Sequence, residues 1–215
     1  MFFFVTNFLW AKDFELSSTV KFQSHSKKIN SKKIDNIITL FSKLNYSVTQ
    51  KEDFLNLTLI LYDVEVKIYE EDKIISQEKY PKYFKTFVYL VKANSSNYYE
   101  ILDNNPKDLN PWSFVKPLLL LYHLKNYHLK NYHLKNVSTL CLVGNESKTI
   151  FQKFDSRYTI TEKMNNLTIS NGKIEFKKDS IELEMETFIP KGFSKEVDFE
   201  IKSHLTAKLQ KIQNK

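Results

Sequence analysis

The chain has 215 residues, is 42% hydrophobic and carries a net charge of +7. That is enough apolar content for a real core and enough positive charge to favour polyanionic partners such as nucleic acid. One cysteine, Cys141, excludes an intramolecular disulfide and a cysteine-built metal cluster, and points to a reducing compartment. Arg157 is the only arginine and glycine numbers three, against abundant Phe, Tyr, Ile, Leu, Lys and Asn, a bias that fits codon pressure in an AT-rich genome.

Residues 1–10 are apolar but too short to span a bilayer. They have neither the basic opening of a signal peptide nor the Arg-rich amphipathic character of a mitochondrial transit peptide, so a packed first strand is expected. In residues 14–22, Phe14, Leu16, Val20 and Phe22 fall near strand alternation. A polar, basic turn follows over 24–30. Ser31 is placed to cap a helix over 32–44, where Ile34, Ile37, Ile38, Phe41 and Leu44 lie at helical spacing. Asn45 is a helix stop, and 46–50 reads as the next strand.

Strands are expected over 54–62 and 64–69, then a turn at Glu70, Glu71, Asp72 and Lys73 into residues 74–77, and another strand over 84–91. Residues 94–97 and 103–111 read as loops, 112–133 as a helix, and 140–143 as a buried strand. Residues 150–160, 167–170, 173–177 and 181–188 suggest a β-meander with a hairpin turn at Asn171 and Gly172. Residues 199–212 begin as a strand and finish as a basic helix.

Within this frame three patterns invite chemistry. Tyr-His-Leu-Lys-Asn occurs three times in tandem, from Tyr122, Tyr127 and Tyr132. On a helix, His123, His128 and His133 step by about 140° and so fan out rather than converge on one ion; replication slippage explains the repeat more simply. Lys125, Lys130 and Lys135 suit either RNA phosphate or a solvated face. Asp53 with Glu65 and Lys67 resembles the carboxylates and lysine of a metal-dependent nuclease, and equally a strand with charged outward residues. Lys21, Lys27, Lys28, Lys32 and Lys33 gather around the first strand–helix junction, where a helix N-terminus also favours phosphate. No Gly-rich phosphate loop and no nucleophile triad is evident.

Residues 20–48, VKFQSHSKKINSKKIDNIITLFSKLNYSV, lay out as basic strand, polar turn, helix and strand. Far downstream Ile189, Pro190, Lys191, Gly192, Phe193, Ser194 and Lys195 lead into Phe199, Glu200, Ile201, Lys202, Ser203 and His204. Together the two pieces resemble the universal small-subunit ribosomal protein S-ten family, divergent and of mitochondrial type. Lys202 stands where the family has Arg, and Leu205 and Thr206 stand where it has a further basic residue.

The resemblance implies an α+β fold. A ferredoxin-like β-α-β core would be built from the chain ends, residues 1–48 and 180–215, around a large mixed, mainly β insertion or accessory domain over 49–179. It implies a structural, non-enzymatic component of the small mitochondrial ribosomal subunit that binds rRNA in the head and supports translation. Its partners would be small-subunit rRNA and neighbouring ribosomal proteins, with no membrane, cofactor or metal. An organelle-encoded, mitochondrial location is expected. The implied rRNA-binding residues are Lys21, Lys27, Lys28, Lys32, Lys33, Lys195, Lys202, Ser203 and His204, although His204 also reads as a half-buried strand residue. Two alternatives stand beside this expectation: a metal-dependent nuclease on Asp53, Glu65 and Lys67, and a mainly β accessory or ligand-binding protein.

Overall fold

The computed structural model describes residues 13–26, 34–51, 53–94, 98–103, 114–126, 139–144, 146–190, 192 and 199–212. They form β1 (Asp13–Ser26), β2 (Ile34–Lys51), β3 (Phe54–Glu70), β4 (Lys73–Asn94), β5 (Tyr98–Asp103), α1 (Val115–Asn126), β6 (Thr139–Val143), β7 (Ser147–Phe154), β8 (Arg157–Met164), β9 (Leu167–Phe176), β10 (Ser180–Ile189) and β11 (Phe199–Lys211). The strands close into one barrel in the order β1-β11-β10-β9-β8-β7-β6-β5-β4-β3-β2. Neighbours are antiparallel except β5 and β6. Residues 1–48, 49–179 and 180–215 each supply strands to it.

This mainly β barrel overturns the α+β, ferredoxin-like expectation and, with it, the ribosomal resemblance. The chain ends do lie side by side, because β1 pairs with β11 from Phe14–Lys211 to Ser26–Phe199. Among the described residues of the two chain ends, however, every element is a strand. The predicted helix over 32–44 is strand β2 from Ile34 on, paired with β1 on one side and β3 on the other. Ile38, Leu40 and Leu44 share one strand face, whereas Ile37 and Phe41, which completed the helix stripe, fall on the other. The run is rich in Ile, Thr, Tyr and Val, which suit a pleated surface, and two ready partners decide the matter. Leu40, Leu44, Tyr46 and Val48 point inward and are buried, while Phe41 and Lys43 are exposed. The basic helix expected at the C-terminal end is likewise strand, part of β11.

Tight turns set the meander. Glu71 and Asp72 (φ 47° and 64°) join β3 to β4, and Asn165 and Asn166 (φ 49° and 65°) join β8 to β9. Both pairs show the two positive φ values that match hairpin twist. The turn expected at Asn171 and Gly172 lies instead in the middle of β9. Gly172 is there because a Cβ would sit 2.4 Å from the Glu184 carbonyl oxygen and 2.9 Å from Ile160 Cγ2. The glycine serves a close approach of neighbouring strands.

A kink crosses the long wall. The register shifts between Phe41 and Lys43, Asp63 takes φ 51°, and the fully buried Ser42 hydroxyl lies 3.0 Å from the Tyr62 carbonyl oxygen. β5 pairs only with residues 89–94 of β4. The earlier part of β4, with β3, β2 and β1, therefore rises as a tall wall above a shorter rim.

An 11-stranded barrel is wider than the eight-stranded kind that side chains alone can fill. Helix α1, about 10–12 Å across with its side chains, occupies part of this lumen. It lies in the crossover between β5 and β6, which a parallel pair requires. Leu118, Leu119, Leu120 and Leu121 are all buried, as are Val115 and Leu124. A helix apolar on every side belongs in an interior, and here the interior is that of the barrel.

Candidate functional site

Helix α1 spans the lumen from the β4–β5 side to the β1 and β9 side. At its start the Lys116 ammonium sits 2.9 Å from Asp103 Oδ2, with both side chains under a tenth exposed, and 4.6 Å from the centroid of the Phe87 ring. At its far end Tyr122 packs edge-on against Phe14 and stacks on Phe176, and Lys125 lies 4.1 Å above the Phe176 ring. His123 is buried, and burial pushes its imidazole down to about 4. The first copy of the tandem repeat thus plugs the barrel. His128, His133, Lys130 and Lys135 lie outside the described residues.

On one side of α1 the lumen is tightly filled. Phe14, Leu16, Leu44, Leu55, Leu57, Leu59, Phe151, Ile174, Ile181 and Leu209 are all essentially inaccessible. Toward the tall wall the same inward phase of the strands continues as Val20, Ile38, Val66, Ile68, Ile189 and Ile201, and these are only half-buried. Apolar side chains aimed into a barrel yet still reached by solvent mark space that the described residues do not fill.

One polar row crosses this inner wall. Thr149 is the cross-strand partner of Glu162, Glu162 of Ser170, Ser170 of Thr187, and Thr187 of Ser203. The parity of each strand puts all five on the inner face, in phase with buried Phe151, Ile160, Ile174, Met185 and Leu205. Ser170 is fully buried and its hydroxyl is 2.8 Å from that of Thr187. Burial raises the Glu162 carboxyl, and a hydrogen bond from Ser170 partly opposes the rise. Sequence reading missed this row. A signal existed in Glu162, a lone acid on the face of β8 that carries Tyr158 and Ile160.

The residues predicted to hold rRNA are divided between faces. Lys21 and His204 are cross-strand partners on the outside of β1 and β11. The His204 imidazole lies 3.8 Å from Glu184 and 3.9 Å from Glu186, and Lys202 pairs with Glu200 at 2.9 Å. Ser203 is on the inner face. Lys27, Lys28, Lys32, Lys33 and Lys195 lie outside the described residues. The outer face here forms two shallow concavities of about 470 and 660 Å³. Glu175, Glu182, Glu184 and Glu186 line them between the lysines. Those carboxylates repel phosphate, and Lys173 and Lys177 are already held by Glu184 and Glu182. A barrel with this alternating exterior corrects the expected rRNA and ribosomal-protein partnership and the ribosomal role that went with it.

The nuclease constellation does not assemble. Glu65 is within 3.4 Å of Lys67 and 3.3 Å of Lys79 on the outer wall. Asp53 lies at the other end of β3, roughly 40 Å along an extended strand. Among the described residues no group of three His, Cys, Asp or Glu side chains is placed to hold a metal ion.

No protein-family model matches the chain, and no curated protein matches it. Several solved structures show a distant likeness, and two of them cover most of this chain. One, described as lipid–protein interactions in lipovitellin, is 14% identical with a TM-score of 0.35, over 94% of this chain and 25% of that one. The other, a β-barrel-like protein of the domain of unknown function DUF1849 from Brucella abortus, is 9% identical with a TM-score of 0.28, over 94% and 100% of the two chains. Neither overlay is close enough to carry a functional argument.

Proposed function

We propose that the protein is a ligand-binding barrel that takes an elongated apolar or amphipathic small molecule into its lumen, between α1 and the tall wall of β1–β4. The observation that carries this reading is the half-buried inner face of Val20, Ile38, Val66 and Ile68, continuous with a fully packed core. Ligand sites of this kind are concave and mostly apolar, with a few polar groups that fix orientation. Each additional methylene buried from water contributes about 0.8 kcal/mol, so a long alkyl chain lying on these residues gains enough to bind.

Titration with a dansyl-labelled long-chain acyl probe tests the reading. Saturable one-to-one binding is expected. Val66→Arg, which places a charge on the inner wall, and Ile68→Trp, which fills the space, should each weaken it by about tenfold or more, equivalent to about 1.4 kcal/mol. Glu65→Arg, on the outer face, should not. Non-saturable binding, or folded Val66→Arg and Ile68→Trp proteins that bind as the wild type does, would overturn the proposal.

A further inference from the structure

We infer that the ligand carries an uncharged head group rich in hydrogen-bonding oxygens, of the hydroxyl or glycerol-ester class, held by the polar row Thr149, Glu162, Ser170, Thr187 and Ser203. This inference rests on the lumenal binding just proposed and specifies its chemistry.

The row is continuous. Its members are direct cross-strand neighbours on β7, β8, β9, β10 and β11, so their Cβ atoms follow one another at about 5 Å. Apolar rows bound it. Phe151, Ile160, Met185 and Leu205 lie on the side of α1, and Met164, Ile189 and Ile201 on the side of the open rim. A polar line through an apolar wall costs stability unless its groups are satisfied. Ser170 and Thr187 satisfy one another in part at 2.8 Å. A hydroxyl has one proton and two lone pairs, so that contact leaves hydrogen-bonding capacity in Thr187, and Thr149 and Ser203 add two half-buried groups facing the same space.

The chemistry of the row selects the head group. Four hydroxyls and one carboxyl offer donors and acceptors in succession. The row contains no Lys or Arg, so nothing in it neutralises a carboxylate or phosphate, and Glu162 opposes either one. An alkylammonium would meet a single acid and otherwise hydroxyls that balance no charge. A neutral head with several oxygens matches the sequence of groups, and its chain then runs along Val20, Ile38, Val66 and Ile68.

Competition against the dansyl acyl probe decides the matter, with a monoacylglycerol, the free fatty acid, the alkylamine and the alkane of equal chain length as competitors. The monoacylglycerol should displace the probe about tenfold more tightly than the other three, the scale of one or two net hydrogen bonds. Thr187→Val, which keeps shape and removes the hydroxyl, and Glu162→Leu should erase that preference while the alkane competes as before. Glu162→Gln should keep most of it. Tighter binding of the free acid or the amine, or an unchanged preference in Thr187→Val and Glu162→Leu, would overturn the head-group assignment while leaving lumenal binding intact. Failure of the probe itself to bind the wild type would instead overturn the lumenal reading.

Discussion

At the scale of single residues, the barrel depends on a few positions where one atom decides. A methyl group at Gly172 would press on the Glu184 carbonyl, part of the backbone of β10, which cannot swing aside as a side chain would. Gly172→Ala is therefore expected to destabilise the protein by about 1–3 kcal/mol, read as a lower midpoint in urea. His123 gives the fold a pH dependence. Its folded value, about 4, is below the unfolded value of 6.5, so the unfolded chain binds the proton first as pH falls. The neutral imidazole is fully tolerated above pH 6.5. Stability drains between pH 6.5 and 4, by roughly 3 kcal/mol over that window. Glu162, raised by burial, has the opposite sign and favours folding as pH falls. Comparing wild type with His123→Gln in urea melts at pH 7.5 and 4.5 isolates the histidine: the variant should lose less on acidification.

At the scale of elements, α1 is held by an ion pair that is almost fully buried. Removing one partner strands the other charge in an apolar setting, so Asp103→Ala is expected to cost about 3–5 kcal/mol. The double replacement Lys116→Met with Asp103→Leu should recover most of the loss, which thermal melts of the wild type and the two variants would show. The elements also show how far pattern reading reaches. The turn over Glu70, Glu71, Asp72 and Lys73 was legible because four charged residues interrupt two β-rich runs and Asp tolerates positive φ. The helix around Leu118–Leu121 was legible because Pro117 precedes an unbroken apolar run. β2 was not, because Ile34, Ile37, Ile38, Phe41 and Leu44 form a helical stripe, while in the strand Ile37 and Phe41 take the outer phase opposite Ile38, Leu40 and Leu44. Gly172 was misread because an Asn-Gly pair signals a turn unless a neighbouring strand needs the space.

At the scale of the whole molecule, the barrel is closed by its own ends, and strand pairing rather than sequence proximity makes the lumen. Thr19 and Thr206 face each other across β1 and β11. With Cys141 replaced by alanine, Thr19→Cys with Thr206→Cys should oxidise to an intramolecular disulfide. That cross-link should raise stability by about 2–5 kcal/mol, since it closes a very long loop. Non-reducing gels and urea melts would check both. Failure to cross-link would mean the barrel is open at this seam.

Taken alone, the amino-acid sequence determined a chain with enough apolar residues for a core, many of its central and later strands, a strongly apolar helix around Leu118–Leu121 and no intramolecular disulfide, since these follow from composition and from local periodicity. Residues 20–26 and 199–205 are neighbours, but as the paired strands β1 and β11 and not as pieces of the family they resembled. Only the tertiary structure decided that the ends meet as strands of a closed barrel, that the helix lies inside it, and that Thr149, Glu162, Ser170, Thr187 and Ser203 align. Those facts depend on register between strands far apart in the chain, and a period of two cannot say which strand pairs with which or at what offset.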